Sequence, residues 1–206
     1  MANTTFNGPV RSENGFQMVS KNASTGAVTV TSGDKMATEA TASAGIEGTA
    51  AVYVTQVNRL KSDVTTNVNI VKTTIMIDLT GLKDGGTAGD IIGKDGSGVA
   101  FIGKVTTANQ GTVFGVTMTC LETPAGGSTD IDLFSATEGT GVNDTAIGDL
   151  TETQIINAGA ASAGTVVAGG DIAADQFLYL VSQGTGDATY TAGRFLIEIT
   201  GFDAAS

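Results

Sequence analysis

Gln176-Phe177-Leu178-Tyr179-Leu180-Val181 is a short apolar run, and Phe195-Leu196-Ile197-Glu198-Ile199-Thr200 further on alternates residue by residue. In the second run Phe195, Ile197 and Ile199 fall on one side and Leu196, Glu198 and Thr200 on the other, the period of a half-buried strand. Gly184-Thr185-Gly186-Asp187 between them is turn chemistry. Two β-rich runs joined by a Gly-containing connection predict an antiparallel hairpin.

The same grammar extends upstream. Val99 to Val105 and Thr112 to Glu122 predict a second hairpin through Ala108-Asn109-Gln110-Gly111, terminated at Pro124-Ala125-Gly126-Gly127. In Thr73 to Leu79, Ile75, Ile77 and Leu79 make one face and Thr74, Met76 and Asp78 the other. Shorter strands are expected at Val52–Leu60, Asp90–Gly93, Ile131–Phe134, Thr153–Ile156 and Val166–Val167. Lys94-Asp95-Gly96-Ser97-Gly98 is the most explicit turn. Many short strands at this spacing define an all-β, antiparallel β-sandwich of jelly-roll type over residues 52–206.

The ends of the chain differ. Residues 1–31 carry isolated apolar positions (Phe6, Val10, Phe16, Met18) with possible strands at Phe16–Lys21 and Ala27–Thr31, too little to form a core. They read as an extended N-terminal arm. Residues 32–51 are rich in Ala, Thr, Ser and Gly and read as a linker, or as a loop wrapped on a neighbour. Up to Lys72 six basic residues face five acidic ones, net +1; from Thr73 onward four basic residues face sixteen acidic ones, net −12. Such an acidic surface repels nucleic acid and anionic membranes. The N-terminus has neither the basic nor the apolar region of a signal peptide, and no apolar run reaches membrane-spanning length, so synthesis in a cytoplasm is expected.

Catalytic and metal motifs are weak throughout. The 206 residues include no histidine, which removes Ser-His-Asp and Cys-His machinery, and Cys120 is the single cysteine, expected to be a buried structural thiol. Asp130 and Asp132 open like a calcium loop, but Phe134 and Gly141 stand where further ligands belong. They are expected instead to alternate on the solvent face of a strand. Loop pairs such as Asp84 with Asp90 or Asp144 with Asp149 are the other conceivable cation ligands. Gly139-x-Gly141 and Gly184-x-Gly186 lack the third glycine of a phosphate loop and read as turns. Sugar-binding platforms are scarce, with no Trp and only Tyr53, Tyr179 and Tyr190. No catalytic residue, cofactor or metal site is assigned.

Three stretches carry a resemblance: Thr5-Phe6-Asn7-Gly8-Pro9-Val10-Arg11-Ser12-Glu13-Asn14-Gly15-Phe16, Met118 to Gly127 continuing through Asp130-Ile131-Asp132-Leu133, and Gly186-Asp187-Ala188-Thr189-Tyr190-Thr191-Ala192-Gly193. Together the chain resembles small virion structural proteins of marine tailed bacteriophages. What phages commonly encode at this size makes a capsid decoration (cement) protein the leading implication. It would sit on the head surface, bind the major capsid protein, associate with itself as a homotrimer, and contact neither nucleic acid nor membrane. The expected capsid contacts are Phe6, Val10, Arg11, Phe16 and Met18 in the arm, with Arg59, Lys61 and Lys72. The alternative from another class is a fibre or adhesin-like module binding host glycans; a carboxylate-based carbohydrate enzyme comes third.

Overall fold

The computed structural model describes residues 18–21, 28–32, 43, 45–46, 52–60 and 68–204 apart from residue 97, with side chains from residue 70 to 202 and at Ser43 and Ile46. The chain divides into two compact units, Met1–Met36 and Ala37–Ser206. In the first, β1 (Met18–Lys21) pairs antiparallel with β2 (Val28–Ser32), so the two short strands expected in the arm make a hairpin with each other.

The second unit is a sandwich of two antiparallel sheets. Its strands are β3 (Val52–Leu60), β4 (Val68–Asp78), β5 (Asp90–Ile91), β6 (Gly103–Lys104), β7 (Thr112–Ala125), β8 (Ile131–Ala136), β9 (Glu152–Ile156), β10 (Val166–Gly169), β11 (Phe177–Ser182) and β12 (Ala192–Ala204). One sheet runs β10-β7-β12-β4-β3 and the other β5-β11-β8-β9, with β6 also paired to β11. Four of the pairings are nested: β8 with β9, β7 with β10, β5 with β11 and β4 with β12. The chain is thus one long ribbon folded back at the β8–β9 connection. Rolling that ribbon brings β7 beside β12 and β8 beside β11, which is the jelly-roll order.

The core forms where the two sheets face each other. Val71, Thr73, Ile75, Ile77 and Leu79 of β4 and its continuation alternate inward, as do Phe195, Ile197 and Ile199 of β12 and Val116, Met118 and Cys120 of β7. Across from them lie Ile131, Leu133, Leu178 and Leu180, all without solvent exposure. Each such aliphatic side chain contributes about 1.5–3 kcal/mol of burial free energy.

Neither expected hairpin forms. β11 pairs with β8, β5 and β6, whereas β12 pairs with β7 and β4. The residues between them cross from one sheet to the other. β6 and β7 are divided in the same way, through a single helical turn, α1 (Thr107–Gln110), capped by the Thr106 hydroxyl accepting from Asn109 N–H at 3.2 Å. A sandwich buries each strand against the opposite sheet, and that favours crossing over a local turn. β7 also continues through Pro124 to Ala125 rather than ending before it. Thr191 N–H still bonds Ala125 C=O at 2.8 Å, and the ladder shifts register at Ala192/Arg194, which accommodates the missing Pro124 donor.

The second sheet is covered on its outer face as well. Every residue of β8 is buried, and β11 is buried except for half-exposed Phe177. The β8–β9 connection lies over it: Tyr179 donates its hydroxyl to Glu138 C=O at 2.7 Å and accepts from Gly141 N–H at 3.3 Å. Glycine at 139 and 141 permits this approach, since a Cβ would stand 2.7 Å from the Phe177 ring and 2.9 Å from the Tyr179 ring. Close packing, not positive φ, explains these two glycines. Residues 43, 45 and 46 lie on the β5–β6 connection: Ser43 N–H bonds Phe101 C=O, Gly45 N–H bonds Val99 C=O, and Ile46 is fully buried.

Three connections that cross between the sheets meet at Asp84. Its carboxylate, 1% exposed, accepts from Ser128 N–H at 2.8 Å and from Ala188 N–H at 2.7 Å. Asp84 lies between β4 and β5, Ser128 between β7 and β8, and Ala188 between β11 and β12. Tyr190 adds a hydroxyl bond to Ser128 C=O at 3.0 Å, and a side chain at Gly127 would collide with its ring at 2.7 Å. Burial, with Asp84 nearby, pushes the Tyr190 phenol well above its ordinary pKa, so it stays a donor. Asp84→Ala would leave two buried N–H groups unpaired, at about 1–3 kcal/mol each. Thermal unfolding by circular dichroism should show a midpoint lower by roughly 4–24 °C, given about 2–4 °C per kcal/mol at this size.

Candidate interaction face

Among the described residues none covers the outer side of the β10-β7-β12-β4-β3 sheet. Along its three long strands residues alternate between buried and exposed or half-exposed, as in Leu196, Glu198 and Thr200 of β12 and Lys72, Thr74 and Met76 of β4. Register places Val166, Thr119, Leu196, Met76 and Val52 in one row across the sheet. Val166 is 61% exposed and Leu121, beside this row, is 46% exposed. At the other end of the face Phe114 (55% exposed) and Phe202 (37%) approach each other with ring centroids 6.2 Å apart. These are large apolar side chains exposed on a sheet surface that no described residue covers.

The charges on this face are paired within it. Lys72 makes an ion pair with Glu198 on the next strand. Arg194 Nε sits 3.0 Å from Asp78 Oδ2 and 3.6 Å from Glu122 Oε2. Hydrogen bonds from Thr80, then the Arg194 guanidinium, hold the Asp78 carboxyl below its ordinary pKa. Lys72 and Arg194 against Asp78, Glu122 and Glu198 leave the face at −1. From residue 73 onward, setting aside Asp78, Glu122, Arg194, Glu198 and Asp203, twelve acidic residues meet three basic ones, a net −9. The sandwich is therefore electrostatically lopsided, with one near-neutral apolar face.

Of the expected contact residues, Lys72 lies on this face and its charge is already matched. Arg59 belongs to β3, in register with Asn69, and Met18 belongs to β1. Phe6, Val10, Arg11, Phe16 and Lys61 lie outside the described residues. Sequence reasoning passed over Phe114, Leu121, Val166 and Phe202. The signal was available for Leu121, which alternates outward with Thr117 and Thr119, but not for Phe114, which shares the parity of buried Val116, Met118 and Cys120 and is turned out by the register shift at Thr200/Gly201.

The acidic residues do other work. Asp132 is buried rather than solvent-facing, a correction to the alternation expected for Asp130 and Asp132. Its carboxylate accepts from Gln154 Nε2 and Ala158 N–H, both at 2.8 Å. β8 belongs to the sheet covered on both faces, so no side of it meets water. Asp84 pins turns as described, Asp90 accepts from Thr87 N–H at 2.7 Å, and Asp144 accepts from Gly86 N–H at 2.8 Å. Among the described residues no three His, Cys, Asp or Glu side chains gather as for a metal ion. Cys120 is buried, donates to Glu122 C=O at 3.2 Å, and has its thiol pKa raised by burial, as expected of a structural thiol. Among the described residues no helix is long and apolar enough to cross a membrane.

Comparison with protein-family models, with curated proteins and with solved structures finds no match to this chain.

Asp130 supplies a pH test of this acidic framework. Its Oδ1 is buried without a hydrogen-bond partner, and burial, then the neighbouring Asp132 charge, raises its pKa. A carboxyl whose folded pKa lies above the unfolded value binds protons more readily when folded, so its contribution falls as pH rises through the acid range. Asp130→Asn should therefore raise the urea midpoint at pH 7. The gain should shrink as pH falls through the raised folded pKa and be gone below the ordinary carboxylate value of about 3.9. A gain that is equal at both pH values would refute this account.

Proposed function

We propose that this chain is a virion structural protein that decorates the outside of a tailed-phage head, binding the major capsid protein and bridging its subunits. The observation that carries this reading is the asymmetry of the sandwich. One sheet is sealed on both sides by the chain's own loops, while the other keeps an open, near-neutral apolar face against a −9 remainder. Such a body suits binding and persistence: the acidic remainder faces solvent and the uncharged surface meets other protein. The three stretches that resemble phage virion proteins support the same reading, as does the use of the jelly roll in viral capsid domains. The fold also hosts lectins, which keeps a glycan-binding fibre module as the competing reading.

In this scheme the arm supplies the shell contacts, through Phe6, Val10, Arg11, Phe16 and Met18, aided by Arg59 and Lys61. Several arms on one homotrimer gain avidity from matching positions on the shell. Protein that binds only intact heads stabilises them by mass action.

Deleting residues 1–31 should leave a folded sandwich, because its described core residues run from Ile46 onward. The truncated protein should no longer sediment with phage heads; normal co-sedimentation would exclude the arm as the attachment device. Charge reversal at Arg59 and Lys61 should weaken attachment roughly tenfold at low salt, more than Asp144→Asn, Asp149→Asn and Asp187→Asn together. Decorated heads should hold their DNA to higher temperature than stripped heads. Equal release from both, with binding to host glycans instead, would move the fibre reading ahead.

A further inference from the structure

We infer that the open face of the β10-β7-β12-β4-β3 sheet is a self-association surface whose occupant is a second copy of this chain. The same face meeting itself closes as a two-fold dimer, so this replaces the homotrimer of the proposed function with a dimer, and it does not depend on the capsid.

Three observations select the occupant. The first is charge. Each chain carries −11, and two copies brought together through the −9 remainder repel each other. The open face, at −1, is where like can approach like with little opposing charge.

The second is internal pairing. Lys72 is matched by Glu198, and Arg194 by Asp78 and Glu122. The described side chains thus leave no unmatched charge for a strongly charged partner to recognise. An equally self-satisfied apolar face is the complementary surface. Exposed Phe114, Leu121, Val166 and Phe202 then leave water on both sides of the contact.

The third is size. Strands about 4.8 Å apart with about 3.3 Å rise per residue give this five-stranded face an area of roughly 800 Å². One partner in a standard stable interface contributes about 800 Å². A contact that used most of the face would reach that range, and one confined to a single row would not.

The test uses the full chain in two double variants, Leu121→Glu with Val166→Glu, and Phe114→Glu with Phe202→Glu. All four side chains are exposed, so folding should survive, and circular dichroism with thermal unfolding checks that it does. Light scattering coupled to size exclusion, between about 1 and 100 μM, reads the mass. Wild type should form an assembly of two or more copies. Each double variant should dissociate at least about 100-fold more readily, as expected when unpaired charge is buried in a contact. Glu152→Lys, at an exposed position of β9 in the other sheet, should leave the mass unchanged. A monomeric wild type at 100 μM overturns the inference, as do folded double variants that keep the wild-type mass. Wild-type monomers whose head binding is abolished by the same variants would also overturn it, and would assign the face to the shell protein. An assembled wild type that fails to bind heads would sustain the inference and remove the decoration reading.

Discussion

Asp84 is a buried carboxylate that takes two backbone N–H groups from connections distant in sequence, Ser128 and Ala188. A jelly roll needs the chain to pass repeatedly between sheets, and each passage carries backbone donors out of any ladder. Left unpaired in the interior, each would cost about 1–3 kcal/mol. One carboxylate resolves two of them at once and fixes three crossings relative to one another. Tyr190 and the side-chain-free Gly127 close the packing around it. The sheets can face each other only where their crossings hold, so the core depends on this junction.

With the crossings fixed, the two sheets take different roles. The β8–β9 connection lies over one sheet, which explains why β8 can carry Asp132 out of water. The other sheet receives no such cover, and its outward positions mix Thr with large apolar residues. Its ion pairs are cross-strand and partly exposed, each worth under about 1 kcal/mol. They do more for the character of the face than for stability: they cancel charge locally while the remainder of the domain stays acidic.

Much of this was legible in the residues. The strand at Phe195 to Thr200, the inward set Ile75, Ile77 and Leu79, the buried Cys120 and the jelly-roll class follow from period-two patterning and turn chemistry. The pairing of neighbours did not follow, and the physical reason lies in two runs. Phe177-Leu178-Tyr179-Leu180-Val181 is apolar without alternation, the mark of a strand buried on both faces, whereas Phe195 to Thr200 alternates, the mark of one open face. Strands of such different exposure belong to different sheets, so the turn between them had to be a crossing. Asp132 misled for a related reason: a carboxylate in a strand reads as solvent-facing until Gln154 and the Ala158 N–H, both distant in sequence, are seen to satisfy it. The open apolar face was equally hidden, because Phe114, Val166 and Phe202 come onto one surface only through the pairing of β7 with β10 and the rolling that sets β7 beside β12.

That nesting has a consequence for biosynthesis. β4 ends at Asp78 and its partner β12 begins at Ala192, so well over a hundred residues must be made between them. At about 5–20 residues per second, β4 waits roughly 6–25 s on the ribosome with its inner apolar row uncovered. The β8–β9 hairpin at the apex of the ribbon can close meanwhile, and the outer pairs follow from the inside out, since short loops close at lower entropic cost than long ones. The nascent chain therefore holds Ile75 and Ile77 exposed for longer than any other core pair of the ribbon. Chaperone capture, or misassembly between chains on neighbouring ribosomes, would act in that interval.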